Sequence, residues 1–444
     1  MINLKTIISP PISDKLVRIV VVVTVALLLI DTMINIVPDY LVHQIASKWG
    51  IAFFILLAIV FGISQHLLLR FVWTRTRDIR SRSILVGGLL NVVIASQYTL
   101  LGILIIIIYQ MVFISQYATA LLIWSTVISL LLTISLLGIL ARQFFLWYRS
   151  YKRDSLIILS YSLAFVIISM TLSLGLILDL YHFSSKPEII TPYSKVIFPD
   201  FDNAGPLLLV LHYLYTYSDL VSFILIWAAT ALLLLHYRKR IGLVKFWIII
   251  MLPLIYYLGT FIDIIGLYNP QTDSESFYYY LYISLNTTAG GIFFGVSFIV
   301  IARRIDNQAI KAYMTLASIG FILLYISGQV SLEASTYPPF GITTLDFSGL
   351  SAFLLLTGLY STAISLSKHA ELRKSIRNSI EGQHSNLIDH IGISELQRDI
   401  EKRVSPLVRK HALEMDKQTA TDLTISEREL RQYIDEILHD LYKR

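Results

Sequence analysis

A chain of 444 residues that is 55% hydrophobic and only 15% charged falls far short of the roughly 25% charge of a soluble domain, which excludes an ordinary water-soluble fold. It has no cysteine, which excludes disulfides, thiolate metal sites and cysteine catalysis. The formal charge of +6 does not point to nucleic acid, because acidic and basic residues balance from Lys368 onward and the excess sits in short loops between apolar stretches.

A helix that crosses a bilayer needs about 20 mostly apolar residues. Ten stretches qualify in chain order: 16–37, 51–73, 84–113, 119–141, 156–182, 207–236, 246–268, 279–301, 312–333 and 346–367. The pattern predicts an all-α fold, a polytopic membrane helix bundle of about ten transmembrane helices over 1–367 with a cytoplasmic helical tail over 368–444. Lys5, Lys15 and Arg18 precede the first stretch as they would in a signal peptide. No small-residue cleavage site follows, so an uncleaved first helix is expected. Pro253 is the only proline inside a stretch.

The loops alternate in charge. Arg70, Arg75, Arg77, Arg80 and Arg82 cluster at and after the end of the second stretch, and Arg142, Arg149, Lys152 and Arg153 follow the fourth. Arg238, Lys239, Arg240 and Lys245 follow the sixth, and Arg303, Arg304 and Lys311 the eighth. The opposite loops hold Lys48, Lys186 and Lys195. The positive-inside rule then puts both termini in the cytoplasm. Aromatic anchors are expected at Tyr278, Tyr279, Tyr280 and Tyr282 on the outer side, and at Phe144, Phe145, Trp147 and Tyr148 on the inner side.

An ionisable side chain at the centre of a span costs on the order of 2.5–3.5 kcal/mol, so those present mark candidate sites. Asp31 lies in the outer half of the first span, and Asp179 and His182 near the outer end of the fifth. His212 and Asp219 lie in the outer half of the sixth, and Asp263 in that of the seventh. His212, Tyr215 and Asp219 share one helical face, and Asp179 and His182 are one turn apart. If these faces turn inward, the six ionisable residues define a ligand or ion cavity open to the outside, suited to a cation, a proton or a small polar solute. Asp179, Glu333 and Asp346 lie close to an interface, where ordinary hydrated placement is expected. Gln65, His66, Asn91 and Gln97 are expected to join helices by hydrogen bonds. Gly290, Gly291 and Gly295 should allow close helix approach. No span carries a His or Glu pair of ligand spacing, so no metal site, cofactor or catalytic residue is expected.

The tail reads as three amphipathic stretches. The first, 365–381, continues the tenth span with Leu372, Ile376 and Ile380. The second starts at a capping box of Ser394 and Gln397, and the third at one of Ser426 and Glu429. Leu430, Ile434, Ile437, Leu438 and Leu441 make the apolar face of the third. Their expected partners are each other, subunits of a membrane complex or a cytoplasmic protein, while the bundle's own partner is the lipid bilayer. The tail is too short for an ATP-binding domain, which argues against a kinase despite a histidine at 369.

Tyr337-Pro-Pro-Phe-Gly341, Leu372-Arg-Lys-Ser-Ile-Arg377, Ile391-Gly392 with Glu401-Lys-Arg-Val404, and the run His236 to Lys245 resemble an uncharacterised polytopic membrane-protein family of ammonia-oxidising archaea. The resemblance implies a membrane home and an archaeal context, with no activity to carry over. Two functions compete. A receptor-like sensor or accessory subunit would use the tail for interaction. A secondary transporter or channel would be built from two five-span halves of opposite topology, although the first and sixth spans lack the Gly or Pro that would break them. No enzyme motif is present.

Overall fold

The computed structural model describes residues 14–36, 48–77, 84–150, 156–194, 205–235, 238, 242–259, 273–303, 307–328, 330, 332, 335, 337–368, 387 and 391–400. Among the described residues ten long helices follow in chain order. They are α1 (Asp14–Ile36), α2 (Lys48–Arg75), α3 (Ile84–Ile114), α4 (Thr119–Ser150) and α5 (Leu156–Phe183), then α6 (Pro206–Leu234), α7 (Leu243–Gly259), α8 (Asp273–Ala302), α9 (Gln308–Ser327) and α10 (Ile342–Lys368). A tail segment, α11, is helical over 391–400. Two-residue strands β1 (Tyr117–Ala118) and β2 (Ile189–Ile190) pair antiparallel between helix ends.

Each of the ten apolar stretches contains much of one of these helices, within its described residues, as backbone groups in lipid must bond within their own segment. Seven of them, α2 to α6, α9 and α10, are long and apolar enough to cross a membrane, and α1, α7 and α8 carry the shorter apolar runs Ile19–Asn35, Leu243–Gly259 and Thr288–Ala302. The chain is a multi-pass helical membrane protein.

The last long helix is the central one. Helix α10 packs on α9, α4, α3, α1 and α2, and 83% of its apolar window is buried, against 28% in α3 or α5. Small residues make this possible. A Cβ on Gly358 would lie 2.5 Å from Ala317 N and 2.6 Å from Tyr313 O, and one on Gly320 would lie 2.6 Å from Leu355 N. Helices α9 and α10 therefore touch backbone to backbone, which small residues permit in membranes. Gly291 and Gly295 bring α8 onto α9 in the same way, beside Tyr325 and Ser318, as expected of that glycine cluster.

An aromatic cluster joins α4, α5, α8 and α9. Phe144, Tyr161, Phe165, Phe298 and Phe321 are all fully buried, with ring centroids 5.6 Å apart for Phe144–Phe165 and 5.1 Å for Phe298–Phe321. Each such pair adds about 0.5–1.5 kcal/mol beyond its buried area. Phe144 and Trp147 thus face the protein and are not interfacial anchors. Phe145, half-exposed, and Tyr148, part-buried, are the two of the four that reach the surface.

The two ends of α4 show how the loops are shared. At its start Thr119 Oγ1 donates to the Pro187 carbonyl, and Tyr117 stacks on Tyr337, so the connections after α3, α5 and α9 meet at one end of the bundle. At its other end Trp147 Nε1 and Gln143 Nε2 donate to Glu395 Oε2 of α11 at 2.8 and 3.1 Å, and Arg398 donates to Gln143 Oε1. Gly392 sits against Leu366 of α10. Part of the tail is therefore seated on the bundle. Ser394 is fully buried three residues inside α11, which overturns its reading as an N-cap, because the helix begins further back and Ser394 is a packing residue. The stretches 369–386 and 401–444 lie outside the described residues.

Candidate ligand cavity

Helix α6 carries His212, Tyr215, Asp219 and Ser222 on one face, and that face turns inward. With Thr171, Gly175 and Asp179 of α5 it lines a cavity of about 240 Å³, ample for a small solute or several waters. Thr133 of α4, Tyr325 and Ser327 of α9, and Leu345 and Ser348 of α10 close the opposite wall. Asp219 Oδ2 accepts a 2.6 Å hydrogen bond from Tyr257 Oη of α7, a length typical of a charge-assisted bond. Tyr257 is itself stacked on Phe223 with centroids 3.7 Å apart, so the carboxylate is held in place by a rigid ring. Among the described residues no Lys or Arg lines the cavity, and its polar wall is carboxylate, imidazole, phenol and hydroxyl.

The structure brings together three of the six sequence candidates, Asp179, His212 and Asp219. His182 is buried beside them and close enough to His212 for the two rings to interact electrostatically. Asp263 lies outside the described residues, as do Gln329 and Glu333. Asp31 does not belong to the cavity. Its Oδ1 accepts from Gly341 N at 2.9 Å, and its Oδ2 from Thr344 N at 3.1 Å and from the hydroxyls of Thr343 and Thr344 at 2.6 and 2.8 Å. The carboxylate of α1 caps the N-terminus of α10, where unpaired N–H groups and the helix dipole favour negative charge. Gly341 has φ +94°, and a Cβ there would meet Val330 and Asn35, so only glycine brings its N–H to Asp31. Among the described residues no three His, Asp or Glu come close enough to hold a metal.

Asp346 corrects another expectation. It is fully buried rather than hydrated at an interface, because α10 begins at Ile342 and places it on the second turn, under the segment that Asp31 pins. Its Oδ1 accepts from Ser125 Oγ at 2.6 Å and Ser129 Oγ at 3.1 Å, and its carbonyl accepts from Gln97 Nε2 at 2.9 Å. Gln97 thus joins α3 to α10, as expected of an amide in a span. Sequence reasoning missed this hydroxyl face, although Ser125, Ser129 and Thr133 recur every four residues on α4, a signal of one polar stripe.

A multi-pass helical bundle with a carboxylate-lined cavity is the class of protein these features define. Compared with protein-family models, curated proteins and solved structures, the chain matches none of them.

Proposed function

We propose that the chain is a membrane sensor of about ten spans, with both termini in the cytoplasm, whose cavity takes a small cationic solute from outside and whose tail carries the response. The observation that supports this reading most is the reach of α10. It contributes Leu345 and Ser348 to the cavity wall and Leu366 to the seat of α11, a span of about 27 Å between Ser348 and Leu366 at 1.5 Å per residue. Two carboxylates beside two tyrosines, with no Lys or Arg among the described residues of the wall, favour a cation through charge and through cation–π attraction.

The lack of native cysteine makes the test direct. Ser394→Cys introduces a single buried thiol in α11, and its alkylation rate reports how firmly the tail is seated. Methylammonium chloride is expected to change that rate several-fold relative to potassium chloride at equal ionic strength. Asp219→Asn is expected to leave the folded protein intact and weaken the methylammonium effect at least tenfold, about 1.4 kcal/mol. Binding without any change at position 394 would argue against the sensor. The run of hydroxyls from Thr133 and Ser348 to Ser129 favours the alternative, a transporter or channel for a cation, and flux into proteoliposomes separates the two.

The orientation has its own test. A reporter inserted between Lys186 and Asn203 is expected outside, and reporters between Arg240 and Lys245 or after Arg444 in the cytoplasm. Opposite signals from the last two would break the ten-span count.

A further inference from the structure

A negative charge in the centre of a bundle needs partners, and Asp346 has too few. Its Oδ1 accepts two hydroxyls, yet its Oδ2, buried with the rest of the residue, has no hydrogen-bond partner. The amide oxygen of Gln97, also fully buried, is without a partner too, although the same side chain is bonded to the Asp346 carbonyl. Asp31 adds a second carboxylate close enough to act on Asp346 electrostatically, and its own charge is already met by the four donors at the start of α10. Two acceptor oxygens, on side chains joined through the Asp346 carbonyl, are left without partners. Orphaned buried acceptors of this kind call for an explanation, and a bound ion supplies one.

We propose that Asp346, Gln97, Ser125 and Ser129 form a sodium-binding site between α3, α4 and α10. The donors are carboxylate, amide and hydroxyl oxygens, which suit a hard cation. One unmatched carboxylate balances a single positive charge. A calcium ion takes six to eight oxygens and more negative charge, and potassium is selected by rings of backbone carbonyls. A row of hydroxyls links the site to the cavity wall. Thr133 Oγ1 lies 2.9 Å from Ser348 Oγ, Ser348 Oγ lies 3.5 Å from the Ser129 carbonyl, and Ser129 Oγ touches the carboxylate.

The test is thermal unfolding of the purified full chain in detergent, titrated with sodium chloride against potassium chloride at constant ionic strength. Sodium is expected to raise the melting temperature in a saturable way by several degrees, and potassium is not. Asp346→Asn is expected to abolish the sodium dependence, whereas Asp219→Asn, in the cavity, keeps it. Should Asp346→Asn fail to fold, Gln97→Leu retains the carboxylate and is expected to raise the sodium concentration at half-effect at least tenfold. The proposal fails if wild type shows no difference between sodium and potassium, or if Asp346→Asn or Gln97→Leu responds to sodium as wild type does. A melting temperature that rises on acidification and ignores sodium also overturns it, by showing that a proton satisfies the carboxylate.

Discussion

Asp31→Leu is expected to destabilise the bundle by about 3–5 kcal/mol, the usual cost of removing one partner from a buried charged cluster. The carboxylate meets two backbone N–H groups and two hydroxyls at the start of α10, and both Asp31 and Thr344 are fully buried. Leucine keeps the branching of the side chain but puts two larger methyls where the oxygens sat, so orphaned donors and crowding both add to the penalty. Neighbouring Asn35 donates to the Phe340 carbonyl and to Ser335, so Asn35→Ala should cost less, about 1 kcal/mol for a neutral hydrogen bond. Thermal or denaturant unfolding in detergent reads both. An Asp31→Leu protein as stable as wild type would remove the capping role.

Gly358→Leu should be at least as damaging. The side chain would meet Ala317 N and Tyr313 O, which are backbone atoms of α9 and cannot rotate aside. Overpacking a core typically costs 1–3 kcal/mol, occasionally more, and the fixed neighbours put this case at about 3 kcal/mol or above. Gly88→Leu and Gly138→Leu are the controls, since an added Cβ at either meets nothing within 4 Å and leucine is the better helix former. These two should fold at wild-type yield, while Gly358→Leu should lose its monodisperse peak in size-exclusion chromatography. Equal behaviour of all three would show that α9 and α10 do not meet as described.

The helices were legible because a long apolar run leaves the backbone no alternative in lipid. Their order from centre to rim was not. Helix α10 is among the less apolar, with Thr343, Thr344, Asp346, Ser348, Ser351, Thr357, Ser361 and Thr362 all buried. A span that faces only protein can carry such residues, and reduced hydropathy was the sign of its central place. In the cavity, the seven-residue spacing of His212 and Asp219 was a local signal and held. Asp31 and Asp346 depend on partners more than 200 residues away in sequence, and no spacing rule reaches that far. Ser394 and Gln397 matched a capping pattern by composition alone, while the surrounding residues set where α11 runs.

The central position of α10 also orders how the protein can be made. Asp31 and Gly341 are 310 residues apart, so at 5–20 residues per second the carboxylate emerges roughly 15–60 s before its partner. Through that interval Asp31, Gln97, Ser125 and Ser129 already belong to helices that have left the ribosome, and the residues they bond on α10 do not yet exist. Insertion must therefore hold the earlier helices around an unfilled middle, with polar groups kept from lipid by something other than the finished fold. A chain stopped before Gly341 has the walls of the bundle and lacks its core.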